Sequence, residues 1–63
     1  MKVRDVIKQS EENGWVQVRT RGDHRRFKKE SERNLVTVSG HPSDDLTPGQ
    51  LSDIRRDSGL PLR

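Results

Sequence analysis

The 63-residue chain contains no cysteine. That excludes disulfides and thiolate metal sites, and it is compatible with a reducing compartment. No apolar run is long enough for a secretory leader or a membrane span, so a cytoplasmic protein is expected. Aromatic residues make up 3% of the chain, too few for the stacking platforms of single-strand binders. Apolar residues reach only 25% against 37% charged, a balance that favours disorder unless the few apolar side chains fall where packing needs them. A chain this short buries about 60% of the surface its unfolded form exposes. The expectation is one thin domain, residues 1–63, with no deep catalytic cavity. An enzyme of this size works at its surface, on something large.

What the chain does have is charge, unevenly placed. Between Arg19 and Lys29 there are six basic residues and one acidic one, a net +5, against +3 for the whole sequence. Everything outside that window therefore sums to −2, so the basicity is a patch of the kind that meets a polyanion. In the middle of the patch His24, one of two histidines, follows the turn-forming pair Gly22-Asp23.

The apolar residues also fall in order. Val3, Val6 and Ile7, continued by Ser10, form the stripe of an amphipathic helix over about residues 3–13, ended by Asn13-Gly14. Trp15 to Arg19 alternates with a period of two and reads as a strand with Val16 and Val18 inward and Trp15, Gln17 and Arg19 outward. After the turn at Arg21-Gly22-Asp23, His24, Arg26 and Lys28 alternate with Phe27. Arg25 shares Phe27's side, its head reaching water at the strand end. Lys29 to Asn34 is a polar loop, and Leu35 to Val38 a third strand with Val36 and Val38 inward. Thr47, Pro48 and Gln50 have the spacing of a capping box with proline at the first helical position, and Leu46 can staple onto Leu51. Leu51 and Ile54 supply the stripe of this second helix, and Gly59 closes it.

The expected fold is α+β, in the order α-β-β-β-α, with a three-stranded antiparallel sheet and two helices on one face. The expected core is Val6, Ile7, Val16, Val18, Phe27, Val36, Val38, Leu51, Ile54 and Leu60. The opposite sheet face then displays Arg19, His24, Arg26 and Lys28, with Trp15 and Leu35 on the same outer side as contacts for a protein partner.

RNA cleavage needs no metal when the 2′-hydroxyl is the nucleophile. It needs a base for that proton, positive charge on the non-bridging oxygens, and an acid for the leaving 5′-oxygen. Histidine is the side chain whose ordinary titration lies nearest working pH. His24 among arginines and lysines has these parts, but one histidine in a basic strip is a weak motif. Spacing alone favours the plainer reading of a binding face. His41 is a candidate auxiliary acid if its loop folds back over the second strand. A metal site from His24, His41, Asp44 and Asp45 lacks the spacing of known sites, so no metal is expected.

Gly22-Asp23-His24-Arg25-Arg26-Phe27 resembles the Gly-Ser-His-x-x-Phe/Tyr motif of HicA toxins, small ribonucleases of toxin–antitoxin pairs. The resemblance extends over Asn13-Gly14-Trp15, Val36-Thr37-Val38, His41-Pro42, Leu46-Thr47-Pro48-Gly49, Ile54 and Gly59-Leu60. It implies a double-stranded-RNA-binding-domain-like fold and an endoribonuclease that cleaves mRNA without a cofactor, with His24 as its catalytic residue. It also implies growth arrest and a HicB-type antitoxin that covers the site. Arg19, Arg21, Arg26 and Lys28 are then the RNA-binding residues, and Gly22 the turn that positions His24. Asp23 stands where the family commonly has Ser. A carboxylate there favours the protonated ring and repels phosphate. Two other readings use the same strip without catalysis: an RNA-binding module, and an interaction domain docking an acidic partner.

Overall fold

Helix α1 (Val3–Glu12) opens without a side-chain cap. Its first two amides are satisfied from elsewhere: Val3 N–H donates to the Asp44 carbonyl at 2.9 Å and Arg4 N–H to Pro42 at 3.0 Å. Asp5 N–H bonds back to the Lys2 carbonyl at 3.0 Å, so the three helical amides that precede the first regular helical bond all have partners. At the other end Gly14 takes φ +89°. Its N–H donates to Glu11 and that of Trp15 to Ser10, the paired bonds of a Schellman cap, which requires a left-handed residue at the Gly14 position.

The computed structural model describes residues 1–62. After α1 come β1 (Val16–Arg21), β2 (His24–Lys28), β3 (Val36–Ser39) and α2 (Pro48–Ser58). The strands form one antiparallel sheet in the order β1-β2-β3. This is the expected α+β arrangement of three meandering strands between two helices, and it is consistent with a double-stranded-RNA-binding-domain-like fold. Helix α2 starts as its sequence dictates. The Thr47 hydroxyl accepts from Gln50 N–H at 3.2 Å, Thr47 N–H donates to Gln50 Oε1 at 2.9 Å, and Pro48 follows.

Phe27, Val36 and Val38 point from the sheet into the core and meet Val3 and Val6 of α1 and Ile54 of α2. Leu46, Leu60 and Leu62 close it, while Ile7 and Leu51 are only partly buried. Both helices pack chiefly on the β3 side, which leaves β1 an uncovered edge.

Two expectations about β1 fail. Trp15 is 2% exposed and belongs to the core, whereas Val16 and Val18 are 62% and 54% exposed. The cause lies in the α1 cap. Trp15 is the residue after the left-handed glycine, a position that commonly packs back on its helix, so it is the tail of the cap rather than the first member of the strand. Reading it as a strand residue inverts the parity of Val16. Trp15 therefore leaves the outer face, and of that pair only Leu35 is exposed.

The second cause is a β-bulge. Gln17 pairs with Phe27, but the next pair is Arg19 with Arg26, so Val18 has no opposite residue. Gln17 and Thr20, three residues apart, consequently share a face and their side chains hydrogen-bond to each other. Arg25 also differs from expectation. Its head is half-buried, with one guanidinium nitrogen donating to the Gly40 carbonyl at 2.9 Å and to Asp23 at 3.3 Å.

Candidate RNA-facing site on the outer sheet

The β1–β2 hairpin closes through two residues, Gly22 and Asp23, with Arg21 and His24 as the last pair. Gly22 has φ +61° and Asp23 no positive φ, the pattern of a type II′ turn, which takes glycine at its first central position. Nothing lies within 4 Å of where a Gly22 Cβ would stand, so backbone conformation and not space calls for glycine here.

From that turn the ladder sets the face of each side chain. His24 stands across from Arg21 on one side and Ser39 on the other, and Arg26 lies between Arg19 and Thr37. Residues opposite one another in a ladder share a face. Arg19, Arg21, His24, Arg26 and Thr37 accordingly line one open concavity of about 420 Å³ on the side away from the helices. Lys28 lies further along the same face, opposite Val16 and outside the concavity.

Arg19 reaches this face because two departures from a regular strand cancel. Trp15 shifts the parity of Val16 by one residue, and the bulge at Val18 shifts it back. Arg19 and Arg21 end on the side where uninterrupted alternation would also have put Arg19, while Val16 and Val18 do not end inside.

The electrostatics are one-sided. Among the described residues, none of Arg19, Arg21, Arg26 or Lys28 lies within ion-pairing distance of a carboxylate. Arg19 and Arg26 are directly opposed like charges, an arrangement that weakens a sheet by a few tenths to about 1 kcal/mol and is relieved by an anion between them. The exception is at the turn, where Asp23 Oδ1 lies 3.5 Å from His24 Nε2, both side chains open to solvent. The His24 side chain is 66% exposed, so its ring is within reach of a large substrate.

His41 stands apart. It is exposed, its N–H donates to Asp44 Oδ2 at 3.1 Å, and its loop is bound to the start of α1 through Pro42 and Asp44. It does not line the concavity that holds His24. Among the described residues no three His, Cys, Asp or Glu side chains gather as a metal-binding group, and no helix is long and apolar enough to cross a membrane.

Sequence reasoning missed the structural roles of Arg25 and Ser39 beside His24. Ser39 is the cross-strand neighbour of His24, a relation that needs the β2–β3 register and has no local signal. Arg25 was separable from the other basic residues by its parity with Phe27.

A comparison with protein families finds that residues 3–60 match the model described as the HicA toxin of bacterial toxin–antitoxin systems. A comparison with curated proteins finds none that matches.

Proposed function

Because the chain belongs to the HicA toxin family, we propose that it is an endoribonuclease that cleaves mRNA on its outer sheet face with His24. The observation that carries this reading is the concavity itself: one accessible histidine among Arg19, Arg21 and Arg26, with no carboxylate among the described residues neutralising those three. In a toxin family, a proton-transferring ring set among free cations fits a phosphodiester substrate better than a neutral or cationic one.

The reaction runs in one displacement. His24 takes the proton of the 2′-hydroxyl, the 2′-oxygen bonds to phosphorus, and the bond to the 5′-oxygen breaks. The products are a 2′,3′-cyclic phosphate and a 5′-hydroxyl, the 5′-oxygen taking its proton from an imidazolium or from water. Arg19, Arg21 and Arg26 stabilise the charge that grows on the non-bridging oxygens, and Lys28 holds a neighbouring phosphate. Gly22 supplies the turn that sets His24 at the mouth of the concavity. The chemistry draws on no cofactor or metal. Its setting is the cytoplasm, and a HicB-type antitoxin covers the site to silence it.

The experiment is expression of the wild type and His24→Ala with RNA degradation and growth as readouts. Arrest and degradation with the wild type alone support the reading. Degradation that survives in His24→Ala transfers the role to His41. RNA binding without degradation by either protein would favour the binding-module alternative.

A further inference from the structure

Of the six basic residues that surround His24 in sequence, Arg25 faces away from the concavity although it is His24's immediate neighbour. Arg25 lies on the Phe27 side of β2, across from Val38, and is half-buried. A guanidinium withdrawn beneath the sheet cannot reach a phosphate bound on the outer face. It instead joins two carbonyls, Gly40 at 2.9 Å and Asp23 at 3.3 Å. The Gly40 N–H donates to the same Asp23 carbonyl at 3.2 Å, so Asp23, Gly40 and Arg25 close a small network at the tip of the hairpin.

The network has one fixed side and one free side. The loop that begins at Gly40 is tied to α1 by Val3 N–H to Asp44 and Arg4 N–H to Pro42. The hairpin tip has no comparable support. Gly22 and Asp23 lie beyond the last ladder pair, β1 is an uncovered edge, and His24 is the first residue of its strand. Without the guanidinium, the Asp23 carbonyl retains only the Gly40 amide among the hydrogen bonds described, and the turn is free to rock about the end of β2.

We infer that Arg25 is a positioning residue: it clips the Gly22-Asp23 turn to the anchored loop at Gly40 and thereby holds His24 and its neighbour Asp23 in place over the concavity. This rests on the reading of His24 as the proton-transferring group. Misplacing such a group by about 1 Å can cost on the order of 100-fold in rate while substrate contacts made elsewhere persist. Charge-assisted hydrogen bonds of the kind Arg25 makes are the stronger ones, and a lysine in its place retains the charge and a donor.

The test compares wild type, Arg25→Ala, Arg25→Gln and Arg25→Lys, with Arg25→Gln serving if the alanine variant does not fold. Two readouts are taken: amide hydrogen exchange at Gly40, and steady-state cleavage of a single-stranded RNA oligonucleotide. With Arg25→Ala or Arg25→Gln, the Gly40 amide should exchange roughly tenfold faster or more, while the Phe27 and Val36 amides stay protected. kcat should fall roughly 10–100-fold with KM within about twofold, and Arg25→Lys should recover part of both effects. Unchanged Gly40 exchange overturns the proposal. So does a loss confined to KM with a weaker salt dependence, which would make Arg25 an RNA contact. A wild type that cleaves no more than His24→Ala defeats the reading of His24 and the positioning role together, and Gly40 exchange still decides whether the clip exists.

Discussion

Arg19 stands directly across the ladder from Arg26, one residue past the bulge at Val18. The pair brings two guanidinium groups to one face, with Arg21 and His24 as the next pair on that face towards the turn. The bulge offsets the one-residue change of parity at Trp15, so Arg19 joins Arg26 on the outer face although Val16 also faces outward. Bulges commonly re-aim side chains at sheet edges, and here Val16 and Arg19, three residues apart, both face outward.

Removing the bulge should be tolerated. Deleting Val18 leaves Gln17 followed by Arg19, whose partners Phe27 and Arg26 are already consecutive, so the strand becomes regular with Arg19 and Arg21 still outward. Val18 is exposed, and little apolar burial is lost. The cost should stay within about 1–2 kcal/mol, and RNA affinity should be retained. Thermal melts and a binding titration check this. A deletion protein that binds RNA as poorly as Arg19→Ala would mean that the bulge itself shapes the site.

Trp15 and Phe27 should each dominate stability in a core this small. Trp15→Ala and Phe27→Ala should cost roughly 3–5 kcal/mol apiece and leave much of the population unfolded. Val16→Thr and Val18→Thr, at exposed positions, should stay within about 0.5 kcal/mol. Denaturant melts distinguish the two classes. A Trp15→Ala protein that melts like the wild type would place the indole outside the core.

What was legible in the sequence divides along lines of range. Elements specified by near neighbours were readable. The capping box at Thr47 and Gln50, the two-residue turn at Gly22, and the alternation of His24, Arg26 and Lys28 against Phe27 all depend on residues within a few positions. The outer-face placement of His24, Arg26 and Lys28 follows from these, whereas Arg21, read as part of the turn, is the last residue of β1 and pairs with His24. Trp15 was misread because a helix cap and a strand start overlap at one residue, and Asn13-Gly14 followed by a large apolar side chain was the available signal. Val18 carried none, since a bulge exists only in relation to the partner strand. The capping of α1 by Pro42 and Asp44 was equally invisible, being a contact across about forty residues. Leu62 packs only because the tail returns to the core after Gly59.

The basic face should bind RNA through phosphates. Neutral substitutions at Arg19, Arg26 or Lys28 should weaken binding with little dependence on base sequence, and each lost contact should flatten the salt dependence by roughly one unit of slope. Filter-binding or fluorescence titrations at several salt concentrations measure it. Binding indifferent to salt and to all three substitutions would remove the electrostatic basis of the site.

The central claim, that His24 drives attack by the 2′-hydroxyl, is tested most directly by the ends of the RNA fragments. Wild-type protein and His24→Ala are incubated with a defined RNA in EDTA, and the products are analysed by mass spectrometry. Position 24 is exposed at the start of its strand, so the substitution should leave fold and RNA binding nearly intact. The wild type should give 2′,3′-cyclic phosphate and 5′-hydroxyl ends, and His24→Ala should give no cleavage. Cleavage by His24→Ala at the wild-type rate, or wild-type activity that stops in EDTA and returns with added metal, would contradict the account.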